Sequence, residues 1–186
     1  MKKALIVDDE PLIRRQVAET LIDYGFDEIL EAENGQQAVD LAKTKRPLLI
    51  VMDVSMPVLD GITAAEKIGK FLSSPIVLLT GVADPGTVER ARLAGVMSYL
   101  VKPFRSEQVY AAVDLAIHQF VDISTLRDEV AGLKDALETR KKVEKAKGLL
   151  MRQGLSEPEA YRRMQKIAMD KRKSLGEVAD AILLME

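Results

Sequence analysis

Five polar residues of this 186-residue chain each follow a short, largely apolar run. Asp8 and Asp9 follow Lys3–Val7, and Asp53 follows residues 48–52. Thr80 follows residues 76–79, and Lys102 follows residues 96–101. If those runs are parallel strands of one sheet, all five residues lie along one of its edges. Three carboxylates gathered there repel one another unless a cation sits between them. Hard oxygen donors with free coordination positions suit Mg²⁺, which keeps several waters and also grips phosphate. Lys102 is a point charge for a phosphate oxygen, and the Thr80 hydroxyl can donate to another. Such a set is equipped for phosphoryl transfer to a carboxylate, with Asp53 as the acceptor.

The elements that must position these residues are legible as an alternation. Apolar runs at Lys3–Val7, Glu28–Ala32, 48–52, 76–79 and 96–101 read as strands. Between them lie helical patterns. Pro11 opens one that continues through Leu12, Ile13, Val17, Leu21 and Ile22. Asn34-Gly35 leads into another with Ala38, Val39 and Ala42, and Ile62, Ala65, Ile68 and Phe71 mark a third. Pro85–Leu93 and a stretch from about Ser106 complete the set. Strands alternating with helices imply parallel pairing through crossovers. The runs lack period-two polarity, as expected when helices cover both sheet faces. The predicted fold is an α/β doubly wound five-stranded parallel sheet. Functional groups in such sheets gather beyond the carboxyl ends of the strands.

The residues that carry this reading resemble a known family. Asp8-Asp9, Asp53-Val54-Ser55-Met56-Pro57 with Asp60-Gly61, Thr80, and Tyr99-Leu100-Val101-Lys102-Pro103-Phe104 resemble the receiver domain of response regulators. The resemblance spans residues 1–120. It implies a flavodoxin-like receiver phosphorylated on Asp53 by a sensor histidine kinase. It also implies Mg²⁺ held by Asp8, Asp9, Asp53 and the Ser55 backbone carbonyl. Thr80 and Tyr99 become the switch pair, and the Lys102–Pro103 bond is expected to be cis. Ser55 departs from the Met that many receivers carry, a change that a backbone ligand tolerates. Asp60-Gly61 reads as a turn.

Beyond residue 120 the pattern changes. Ile123, Leu126, Val130, Leu133 and Leu137 recur at spacings of three and four, a seam over roughly two heptads. Residues 121–139 therefore read as a coiled-coil linker helix, short enough to be marginal alone. Residues 140–152 continue as a basic helix ending near Gly154. Two capping boxes follow, Ser156 with Glu159 and Ser174 with Glu177. Ala160, Met164, Ile167 and Ala168 mark the buried face of one helix, and Val178, Ala181, Ile182 and Met185 continue a last short helix. The end of the chain is predicted to be a small all-α three-helix domain, too small to stand firmly without support.

Charge is unevenly distributed. Residues 1–120 carry 13 basic and 17 acidic side chains, residues 121–138 carry 2 and 5, and residues 139–186 carry 12 and 7. Basic residues beside an aromatic, Tyr161, suit RNA, where unpaired bases stack and phosphates are neutralised. Lys145-Ala146-Lys147-Gly148-Leu149-Leu150-Met151, Gly154-Leu155-Ser156, Glu159-Ala160-Tyr161-Arg162-Arg163-Met164 and Ala168-Met169-Asp170 resemble the ANTAR output domain, over residues 126–186. That resemblance implies an RNA-binding transcription antiterminator. It would engage hairpins in nascent leader transcripts as a homodimer formed on activation. Lys147, Tyr161, Arg163 and Lys173 are the candidate RNA contacts. Gly148, inside a helix, could mark a close approach of another helix or of RNA backbone.

Two other outputs compete. A DNA-binding helix-turn-helix is disfavoured because the last helix has no Lys or Arg for a groove. A protein-interaction output is the other alternative. The chain is not read as an enzyme on a separate substrate: with no Cys and a single upstream His, His118, the output region of about 60 residues offers no plausible active site. No apolar stretch approaches the roughly 18 residues of a membrane span. A cytoplasmic location without a membrane partner is expected.

Overall fold

The computed structural model describes residues 1–81 and 85–184, in two compact units, Met1–Ile123 and Ser124–Glu186. The first unit contains β1 (Lys3–Val7), α1 (Pro11–Tyr24), β2 (Glu28–Ala32), α2 (Gly35–Lys45), β3 (Leu49–Asp53), α3 (Gly61–Gly69), β4 (Ile76–Thr80), α4 (Pro85–Leu93) and β5 (Ser98–Val101). The opening turns of α5 (Ser106–Arg152) also belong to it. The strands form one sheet in the order β2-β1-β3-β4-β5, and every neighbouring pair is parallel. This is the predicted five-stranded doubly wound sheet.

The sheet is buried from both sides by alternate residues of the same strands. Leu5, Val7, Ile50, Met52, Ile76 and Leu78 pack with Ala38, Ala42, Ile62, Ala65, Ile68 and Ala91 of α2, α3 and α4. Ala4, Ile6, Leu49, Val51, Val77 and Leu79 pack with Val17, Leu21, Val109, Ala112, Val113 and Ala116 of α1 and α5. That is why β3 and β4 are buried along their whole length and show no polar alternation. The last strand begins later than the apolar run suggested. Gly95 sits at φ 77°, and the Val96 amide donates to the Ala91 carbonyl at 3.1 Å, so these residues close α4 before β5 starts.

The second unit holds the remainder of α5, α6 (Glu157–Lys171) and α7 (Leu175–Leu183). Ala146 and Leu150 of α5, Ala160 and Met164 of α6, and Val178 and Ala179 of α7 form its core. Ile167, Ala168 and Ile182 pack against them, while Met185 lies outside the described residues. Both predicted capping boxes form. The Ser156 amide donates to Glu159 Oε2 at 2.9 Å, and the Ser174 amide donates to Glu177 Oε2 at 2.8 Å.

The second box gives a prediction. A hydrogen bond from Lys173, with the Ser174 amide, pulls the Glu177 carboxyl from the usual range down to about 2. A depressed carboxyl contributes stability that is present above its unfolded value and is lost as pH falls through its folded value. Glu177→Gln is therefore expected to melt at a lower temperature than the unaltered protein at pH 6. That difference should close as pH is lowered from the ordinary carboxylate range toward 2, followed by circular dichroism.

Candidate functional site

The carboxyl ends of β1, β3 and β5 meet in one corner. Asp8 is fully buried and Asp53 is 3% exposed, so neither carboxylate is well hydrated. The Lys102 ammonium lies between them, 2.8 Å from Asp8 Oδ2 and 2.9 Å from Asp53 Oδ1. Glu10 Oε1 is 3.5 Å from the same ammonium. The second Asp53 oxygen, Oδ2, accepts from the Ser55 amide at 2.8 Å. Burial pushes the Asp53 carboxyl above its ordinary value, and Lys102 pulls in the opposite direction. Burial also works against the charge on Lys102, but hydrogen bonds and attraction from Asp8 and Asp53 hold its pKa above the ordinary value. Thr80, 6% exposed, ends β4, and its carbonyl accepts from the Lys102 amide at 2.7 Å. Tyr99, on β5, is 47% exposed. The Lys102–Pro103 bond is cis, as expected.

The structure thus brings Asp8, Asp53 and Lys102 together, with Thr80 at the next strand end. Asp9, the next residue along the chain, is exposed. Among the described residues no group of three or more acidic or histidine side chains is gathered closely enough to hold a metal ion. The donor chemistry nevertheless fits Mg²⁺. Two buried carboxylates share one ammonium, which leaves net negative charge, and every donor is a hard oxygen. A cation that keeps several waters needs only a few protein ligands.

Three further features support or border the site. Arg14 lies on the buried stripe of α1, and its guanidinium donates to the Asp8 carbonyl at 2.8 Å and to Glu31 Oε2 at 2.9 Å. It fixes the backbone at the end of β1. A charged residue on an apolar stripe must find such partners, and that was the available signal. Asp60 is more than a turn residue: its side chain caps α3 by accepting from the Thr63 amide at 3.0 Å. Val58, in the loop after Asp53, has φ 68° and is 82% exposed. A β-branched residue in the left-handed region is strained by about 1–2 kcal/mol. Val58→Gly relieves that strain and restores some unfolded-state entropy, for a net gain of roughly 0.5–1 kcal/mol. A higher urea midpoint at unchanged slope is the expected result.

In the second unit the candidate RNA residues differ in their surroundings. The Lys147 side chain is only 10% exposed, and its ammonium is 2.8 Å from Glu157 Oε1 and 3.0 Å from Glu144 Oε1. It lies 6.0 Å from the centroid of the Tyr161 ring. Lys173 is exposed and pairs with Glu177 at 2.6 Å. Arg163 is exposed beside a cavity of about 350 Å³ lined by Leu150, Ile167, Val178 and Ile182. A Cβ added at Gly148 would meet nothing within 4 Å, so among the described residues none makes the close approach suggested there. On α5, Leu126, Val130, Leu133 and Leu137 are each at least half exposed. Among the described residues no helix is long and apolar enough to cross a membrane.

Comparison with known proteins agrees with this division. The response regulator receiver domain family matches residues 4–114, and the ANTAR domain family matches residues 131–183. The chain is 46% identical over 183 residues to the transcriptional regulatory protein PdtaR of Mycobacterium tuberculosis H37Rv, covering 98% of this chain and 89% of that protein. Among solved structures it is similar to the chemotaxis response regulator CheY4 of Vibrio cholerae, at 33% identity and a TM-score of 0.56. That match covers 62% of this chain and 98% of the other. It is also similar to a chain of the CheX–CheY–BeF3–Mg²⁺ complex from Borrelia burgdorferi, at 26% identity and a TM-score of 0.58. That match covers 60% of this chain and 86% of the other.

Proposed function

From the premise that this chain belongs to the response regulators, as a receiver domain joined to an ANTAR domain, we propose that it is a phosphorylation-switched, RNA-binding transcription antiterminator. Regulators of this composition are signalling proteins rather than enzymes. In this reading residues 1–120 receive the signal, 121–139 link, and 126–186 form the output. A cytoplasmic protein is the natural setting.

The observation that best supports the receiver half is Lys102 seated between buried Asp8 and Asp53 at the strand ends. An Asp53 carboxylate oxygen attacks the phosphorus of a phosphohistidine on a sensor kinase. The new O–P bond forms as the N–P bond breaks, and the leaving imidazole nitrogen keeps the electron pair. Lys102 then pairs with a phosphoryl oxygen, and the Thr80 hydroxyl donates to another. Asp8, Asp9, Asp53 and the Ser55 carbonyl would hold Mg²⁺, which supplies charge neutralisation between carboxylates and phosphoryl oxygens. The similar Borrelia chain comes from a CheX–CheY complex that contains BeF3 and Mg²⁺, which supports that assignment.

Thr80, drawn toward the phosphoryl group, vacates space beside β5, and the exposed Tyr99 ring moves toward it. The changed receiver surface favours a homodimer through half-buried Ile123 and exposed Leu126, Val130, Leu133 and Leu137, a seam short enough to depend on the receivers. Two output domains then engage two hairpins of a leader transcript. Lys147, Tyr161, Arg163 and Lys173 are the starting candidates for that contact. The similarity to a mycobacterial transcriptional regulatory protein supports a transcriptional output.

The test is binding of labelled RNA hairpins and duplex DNA of matched length, with and without an acyl-phosphate donor and Mg²⁺, at two salt concentrations. Donor-dependent preference for hairpin RNA is expected. Preference for DNA would overturn the RNA assignment. Binding to neither, with Asp53 phosphorylation verified, would leave a protein-interaction output.

A further inference from the structure

A lysine beside an aromatic ring in a basic domain is the obvious phosphate contact, and Lys147 beside Tyr161 has that appearance in the sequence. Its surroundings argue otherwise. An ammonium has three N–H donors. Those of Lys147 go to Glu144 Oε1 at 3.0 Å, Glu144 Oε2 at 3.1 Å and Glu157 Oε1 at 2.8 Å. No donor remains for a phosphate oxygen. The two carboxylates are themselves exposed, at 59% and 63%, so an approaching phosphate meets two negative charges around one positive one. The ammonium instead lies at the Tyr161 ring, which is itself 38% exposed. A cation held there fixes the ring through its quadrupole and leaves exposed ring surface on which a base can stack.

The cations available to phosphate lie elsewhere. Arg162, Arg163 and Lys166 of α6 are exposed. None of the three forms an ion pair with a described residue, although Arg162 is near enough to Glu159 to lower its carboxyl. Lys142, Lys147 and Lys173 are all committed to carboxylates of the same unit. Arg162 and Lys166 are four apart, and Arg163 and Lys166 three apart, so they are neighbours on one face of the helix. Ala160 and Met164, on the opposite side, are buried in the core. Met169, one turn beyond Lys166, is 79% exposed. α6 therefore presents a stripe of unpaired charge to solvent, which is the footprint of a polyanion.

We infer that RNA phosphates are held by Arg162, Arg163 and Lys166 on the outward face of α6, while Lys147 is a positioning residue that fixes the Tyr161 ring and touches no phosphate. This assignment rests on the RNA-binding reading and divides the work within that site. Lys147 acts through Tyr161, and its two glutamates keep it there.

The experiment uses the phosphorylated full-length protein and an RNA hairpin selected on it from a random-loop library. The dissociation constant is measured at five salt concentrations for each variant. Arg162→Met, Arg163→Met and Lys166→Met should each weaken binding and reduce the slope of log affinity against log salt by about 1. Lys147→Met should weaken binding by about tenfold, as Tyr161→Leu does through lost stacking, with the slope unchanged in both. The double variant should lose no more than either single one, and Lys147→Arg should restore most of the affinity. A slope reduced as much by Lys147→Met as by Arg163→Met would overturn the assignment, as would losses that multiply in the double variant. Circular dichroism checks that the helices persist. If Lys147→Met has lost them, Lys147→Gln, which can still donate to either glutamate without charge, is read in its place. Failure of the unaltered protein to select any hairpin would remove the RNA reading and this assignment together, an outcome distinct from a changed slope.

Discussion

Asp53→Ala protein is expected to take up no label from radioactive acetyl phosphate under conditions in which the unaltered protein is labelled to near completion. The acceptor oxygen is gone, and the remaining acids of the corner do not replace it. Asp8 accepts from Lys102 at 2.8 Å and from the Glu10 amide at 2.9 Å, and is fully buried. Asp9 and Glu10 are exposed outside the buried pair. Lys102→Met tests the partner. Charge stabilisation of this kind is worth roughly 10²–10³-fold in rate, so labelling should slow by about that factor. The pH dependence adds a sign. Burial already pushes the Asp53 carboxyl up, and Lys102 is the main influence pulling it down. With the ammonium gone, burial and repulsion from Asp8 are opposed only by the weaker pull of the Ser55 amide, so the reactive carboxylate forms only at higher pH. The labelling rate of Lys102→Met should therefore climb with pH over a range in which the unaltered protein is already level. An Asp53→Ala protein that is labelled normally would move the acceptor to another carboxylate.

Gly61→Ala carries the second large effect, and here the reason is packing. A Cβ built on Gly61 would lie 2.0 Å from the Asp53 carbonyl oxygen, 2.9 Å from the carbonyl carbon and 3.2 Å from Met52 Cγ. Backbone cannot give way as a side-chain tip can. The Gly61 amide also donates to the Val54 carbonyl at 2.9 Å, so the start of α3 is clamped against the end of β3. Adding one methyl group must separate them. Overpacking of this kind costs about 3 kcal/mol, which corresponds to a fall in melting temperature on the order of 10 °C. Labelling of Asp53 should fall as well, because the separated strand end carries the acceptor. Gly69→Ala, in the same helix, meets nothing within 4 Å and is the control. It should be neutral or stabilising by up to about 1 kcal/mol. A Gly61→Ala protein with unchanged melting and labelling would mean that α3 can slide without disturbing β3.

The corner at Asp53 was legible because each of its residues closes a short, largely apolar run. Burial on both faces enforces the runs of β1, β3 and β4, and the parallel order places the strand ends together. The two Ser-Glu capping boxes were legible for a related reason, since both partners lie within one helical turn. The features that sequence reading missed depend on partners that spacing does not reveal. Lys147 was singled out for its charge, but its fate is decided by Glu157, ten residues away across the turn at Gly154 (φ 98°). A run of basic residues gives the sign of a region and not its pairing. Asp60-Gly61 reads as a turn, but the need for glycine there comes from the Asp53 carbonyl on another element. Asp8 and Asp9 are adjacent acids, and spacing alone does not tell which of the two is buried and which is exposed.

The Asp53–Lys102 link joins two strands of unequal firmness. β3 is buried at all five residues in the middle of the sheet, whereas β5 is an edge strand whose residues alternate between half-buried and exposed. Local opening is costly where both faces are packed and cheap at an edge. A change of charge at Asp53 is therefore not absorbed by the strand that carries it. The compliance lies at the far end of the salt link, where Lys102 follows Tyr99 by three residues. Under the proposed phosphorylation of Asp53, the corner would act as a stiff anvil with a soft spring attached, and chemistry done on the anvil would be read as displacement of the spring.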